Sequence, residues 1–89
     1  MTSKAEKLLE RMRRTKANWK RHDLDTLYEG FGFVVRHGSN HDVVSHPDFP
    51  QLSDTLPRHR KVPEYNVRKA IKHIDALLRL RESNESGNV

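Results

Sequence analysis

A glycine-bearing turn, Gly38-Ser39-Asn40, delivers His41 to the head of an alternating segment, His41-Asp42-Val43-Val44-Ser45-His46. Imidazoles titrate near neutrality, so one side chain can take up a proton and return it. On a basic scaffold, the chemistry that suits such a group is phosphodiester cleavage in RNA. There the 2′-hydroxyl is the nucleophile, and the protein has to move protons and offset charge. On an alternating strand His41, Val43 and Ser45 share one face and Asp42, Val44 and His46 the other. A valine on each face leaves open which side is core, so the pattern also accommodates a plain surface histidine.

Two basic stretches stand around this turn. Arg58, His59, Arg60 and Lys61 form a compact run, and a planar guanidinium can pair bidentately with phosphate. The bland reading is a solvated loop. Arg11, Arg13, Arg14, Lys16, Lys20 and Arg21 form a second stretch around Trp19. A Trp among cations can stack on a base; the preferred reading is an anchor that docks the segment onto the rest. The six histidines, at 22, 37, 41, 46, 59 and 73, read as scattered imidazoles, and no metal site is expected. Ser39 has no acidic partner at triad spacing, and there is no Walker or dinucleotide glycine pattern.

Eighty-nine residues make one domain with a modest core. With 17 Lys and Arg against 12 Asp and Glu, the net charge is +5, which favours a polyanionic partner. No cysteine is present, which excludes disulfides, thiolate metal sites and cysteine nucleophiles. The amino terminus lacks an apolar h-region and no run reaches membrane-spanning length, so the expectation is a cytoplasmic protein with no membrane contact.

Apolar spacing predicts three helices. Ala5, Leu8, Leu9 and Met12 define the first, from Ser3 to about Arg14. Leu24, Leu27, Tyr28 and Phe31 define the second, with Gly30 and Gly32 as breakers. Val67, Ala70, Ile71, Ile74, Leu77 and Leu78 define the third, from about Glu64 to Arg81, with Pro63 before it. Between the second and third the period drops to two. Strands are expected at Gly32–Arg36, at His41–Ser45 and, as an edge or bulged strand containing Pro57, at Ser53–Arg58. The order predicts an α+β fold, a small three-stranded antiparallel sheet packed by helices on one face. Residues 1–20 read as an N-terminal helical extension, 21–81 as the domain and 82–89 as a disordered tail.

The order Gly32-Phe33, Gly38-Ser39, His41, His46-Pro47 and Leu56-Pro57-Arg58-His59 resembles the HicA family of toxins from type II toxin–antitoxin systems. The resemblance spans about Arg21 to Leu78. It implies a fold similar to double-stranded RNA-binding domains, an mRNA-cleaving activity and a HicB-type antitoxin as partner. The family's active histidine falls on His41. Two departures are Asn40, which separates the Gly-Ser from the histidine, and Tyr65-Asn66, which replaces a Gly-Thr at the start of the last helix. The resulting expectation is a metal-independent endoribonuclease without a small-molecule cofactor. His41 would be the general acid or base and His59 a second proton carrier. Arg36, Ser39, Arg58, Arg60 and Lys61 would contact RNA. The competing expectation is a non-catalytic RNA-binding domain.

Overall fold

Six elements follow in the order α1 (Lys4–Arg14), α2 (Arg21–Gly30), β1 (Val34–His37), β2 (Asp42–Ser45), β3 (Ser53–Leu56) and α3 (Glu64–Gly87). The computed structural model describes residues 3–87, with side chains through 83. The fold is α+β, and β2 is the central strand of a three-stranded antiparallel sheet.

Helix α1 begins with a reciprocal cap. The Glu6 N–H donates to Ser3 Oγ at 3.1 Å, and the Ser3 N–H donates to Glu6 Oε1 at 3.2 Å. Helix α2 ends in a Schellman motif: the Phe33 N–H bonds to the Tyr28 carbonyl and the Gly32 N–H to that of Glu29. Gly32 takes φ of 90°, a left-handed conformation costly for other residues. The accompanying hydrophobic contact is the edge-on pair of Tyr28 and Phe33, with ring centroids 5.0 Å apart. This cap consumes Gly32 and Phe33, which is why β1 starts at Val34 rather than at the expected Gly32. Strand β3 stops at Leu56, short of the expected Arg58, because Pro57 has no N–H to continue a ladder.

The register pairs Val35 with Val44 and Val44 with Asp54, and pairs Arg36 with Val43 and Val43 with Thr55. Val44 is fully buried beneath the helices, whereas Val43 and Val34 are exposed. The ambiguity of the two valines is thereby resolved. Val35, Val44 and Leu56 face the core, and Arg36, Val43 and Thr55 form an open face.

Residues 1–20, expected as an extension, contribute Ala5, Leu8, Leu9, Met12 and Trp19 to the same buried cluster as Leu24, Leu27, Val67, Ala70, Ile74 and Leu77. The first helix is therefore part of the domain. Trp19 acts as the anchor, buried with its indole N–H donating to the Thr15 carbonyl at 2.8 Å. At the other end, α3 continues six residues past the expected stop at Arg81. The segment 82–87 is helical rather than disordered, since no glycine or proline interrupts it before Gly87. Residues 88–89 of the expected tail lie outside the described residues. No helix among the described residues is long and apolar enough to cross a membrane.

Candidate functional site

One end of the sheet collects the exit of β1, the entry of β2, the exit of β3 and the first turns of α2 and α3. His41 stands there, exposed, one residue before β2. Its turn is tight. The Gly38 N–H donates to the His41 carbonyl at 2.9 Å, and a Cβ on Gly38 would lie 2.6 Å from that oxygen, so no larger residue fits without movement.

Behind the turn lies a carboxylate the sequence reading did not single out. Asp42 is 3% exposed and receives three side chains. Arg21 Nη1 donates to Oδ2 at 2.7 Å, Arg58 Nε donates to Oδ1 at 3.0 Å, and His37 Nδ1 lies 3.1 Å from Oδ1. The hydrogen bond from Arg21, joined by those of His37 and Arg58, outweighs burial and holds Asp42 well below the usual carboxylate range. Burial works against the charge on Arg21, but hydrogen bonds to Asp25 and Asp42 leave its guanidinium above its ordinary value. Arg21 also donates to the Pro57 carbonyl at 2.9 Å. The first residue of α2 thus joins β2 to the end of β3.

Arg58, expected to contact RNA, is committed internally. Besides Asp42 it donates to the carbonyl of Ser39 at 3.3 Å and to that of Gly38. Its guanidinium is a brace between the β3 exit and the turn that carries His41. Ser39 is exposed, and its carbonyl serves that brace. Arg36 is exposed on the open face of the sheet, opposite Val43.

Arg60 and Lys61 form no ion pair among the described residues, and they meet the second basic stretch directly. The Arg21 N–H donates to the Arg60 carbonyl at 2.8 Å and the Val62 N–H to the Trp19 carbonyl at 3.0 Å, which sets Lys20 opposite Lys61. Asn18, Lys20, Arg60 and Lys61 line one groove. Cations some forty residues apart in sequence therefore form a single patch. Lys4, Lys7, Arg11 and His22 line a further groove between α1 and α2.

His41 itself lines a cleft between the end of β3 and the first turns of α3, together with Thr55, Pro57, Tyr65, Asn66 and Lys69. His59 is exposed in the loop after β3 and does not line this cleft. His46, by contrast, belongs to the core at the opposite end of β2. It is 2% exposed, accepts the Asp48 N–H at its Nδ1 at 3.1 Å, and packs against Phe33 and Phe49. Among the described residues no group of three His, Cys, Asp or Glu is placed to hold a metal ion.

Of the residues missed in the sequence, Asn66 left the clearest trace. It lies four residues before Ala70 on the stripe that buries Ala70, Ile74 and Leu77, a polar side chain in an apolar row. Comparison with protein-family models, with curated proteins and with solved structures finds no match to this chain.

Proposed function

We propose that this protein is a metal-independent endoribonuclease that cleaves mRNA, with His41 as general acid or base, acting as the toxin of a HicA-like toxin–antitoxin pair in the cytoplasm. The observation that carries the reading is the setting of His41. An exposed imidazole is held on a turn braced by Gly38, Arg58 and buried Asp42, at the end of the molecule that gathers Lys20, Arg60 and Lys61. In this account the cationic groove holds the RNA backbone and His41 takes the proton from the 2′-hydroxyl as that oxygen attacks the adjacent phosphorus. The P–O5′ bond breaks, leaving a 2′,3′-cyclic phosphate, and the departing 5′-oxygen takes a proton from water. The neutralising partner is a HicB-type protein that lays acidic surface over the same end.

A second reading is a non-catalytic RNA-binding module. It is favoured by the position of His59, which lies outside the His41 cleft and leaves that cleft without a second imidazole. Incubation of total RNA and of DNA with the protein in excess chelator separates the two. Loss of RNA with DNA intact supports the nuclease. Intact RNA that is nonetheless retained by the protein supports the binding module.

A further inference from the structure

Asn66 is 4% exposed, and its Oδ1 has no hydrogen-bond partner. Buried amide oxygens are nearly always paired, because leaving one unpaired forfeits its hydration with nothing in return. A leucine of similar size would fill the position without that loss. The residue lines the cleft that also holds His41, in the first turn of a 24-residue helix. The position before that helix is Pro63, whose carbonyl accepts the Asn66 N–H at 3.1 Å and which has no side-chain acceptor for the N–H groups of Glu64 and Tyr65. At the lip, Tyr65 is 59% exposed, a flat aromatic surface with the Lys69 ammonium 5.8 Å from its ring centre. Lys69 is already paired with Asp54 at 2.8 Å, so the cleft is not simply an anion trap.

An aromatic platform, an unpaired buried amide oxygen and the two remaining N–H groups at the helix start correspond to the three parts of a nucleotide: base plane, base edge and phosphate. We infer that this cleft is a nucleobase-reading pocket and that Asn66 determines its specificity. The Asn66 oxygen accepts a hydrogen bond from an exocyclic amino group of the base next to the phosphate handled by His41. Tyr65 stacks on that base. The inference rests on the proposed action on RNA and names the part of the site that chooses where RNA is engaged.

The test is an NMR titration of the full chain with the four nucleoside 3′-monophosphates, following the Asn66 side-chain amide and the Tyr65 ring. At least one amino-bearing nucleotide is expected to bind about tenfold tighter than uridine 3′-monophosphate, with both groups shifting. Asn66→Leu should erase this preference while keeping or raising Tm. Tyr65→Ala, at an exposed position, should weaken all four ligands and leave their ratios unchanged. Equal affinity for the four nucleotides in the parent, or an unchanged preference in Asn66→Leu, overturns the inference. Failure of the nuclease reading is seen elsewhere, as intact RNA in the digestion assay, and a base preference that survives there still supports the pocket.

Discussion

Arg21 Nη1 lies 2.7 Å from Asp42 Oδ2, and this contact fastens the first residue of α2 to the residue that follows His41. The turn carrying the exposed histidine is thus held from beneath by a buried ion pair rather than by its own short hairpin. Arg21 and Asp42 expose 12% and 5% of their side chains, so water screens the pair weakly. Breaking it by removing one partner leaves the other charge buried and unpaired.

The acid response of the fold combines a histidine, His73, with two carboxylates, Asp42 and Asp75, the latter held low by its hydrogen bond from Arg13. Burial, the largest influence, pushes His73 below its ordinary value near 6.5, so the native state binds its proton less readily than the unfolded chain. Stability therefore falls as pH drops below about 6.5. Asp42 is also held low, and its contribution is present above the unfolded value near 3.8 and disappears as pH falls from there through the folded value. Thermal melts from pH 7 to 3 should show two steps. His73→Gln should remove the upper one, and Asp42→Asn should reduce the lower one while lowering Tm at pH 7.

Arg58 and its neighbours Arg60 and Lys61 should separate in their effects on RNA. Arg60→Ala and Lys61→Ala should each weaken binding and reduce the slope of log affinity against log salt by about 0.7, the value for one single-strand phosphate contact. Arg58→Ala should leave that slope nearly unchanged and lower the cleavage rate instead, since its guanidinium holds Asp42 and the carbonyls of Gly38 and Ser39. Equal slopes for all three variants would return Arg58 to the RNA-contacting group.

The helices were legible because apolar spacing records which face is buried, as with Leu8, Leu9 and Met12 or with Ala70, Ile74 and Leu77. Strand limits were less so. The Schellman cap that absorbs Gly32 and Phe33 depends on one left-handed residue, which no periodicity reports. The site was visible through His41 and the basic run Arg58–Lys61, but not through Asp42. Its burial depends on Arg21, 21 residues away in sequence, and pattern reading reaches only along one element. For the same reason Arg58 read as a phosphate ligand, although its partners are Gly38, Ser39 and Asp42.

The first helix should be indispensable. Met12 is fully buried among residues of α2 and α3, so Met12→Ala should cost about 2–5 kcal/mol of stability in chemical denaturation. A chain lacking residues 1–20 should lose cooperative unfolding altogether. A well-folded truncated chain would show the first helix to be an accessory after all.

His41 stands at the centre of the functional account, and its replacement by alanine tests it most directly. The measurement is the rate of cleavage of a defined RNA in excess chelator, beside the affinity for the same RNA and circular dichroism of both proteins. General acid–base catalysis contributes about 10²–10⁴-fold, so His41→Ala should lose activity on that scale while its affinity and spectrum match the parent. His59→Ala, outside the cleft, should cost much less. A well-folded His41→Ala protein that cuts RNA at the parent's rate would contradict the assignment.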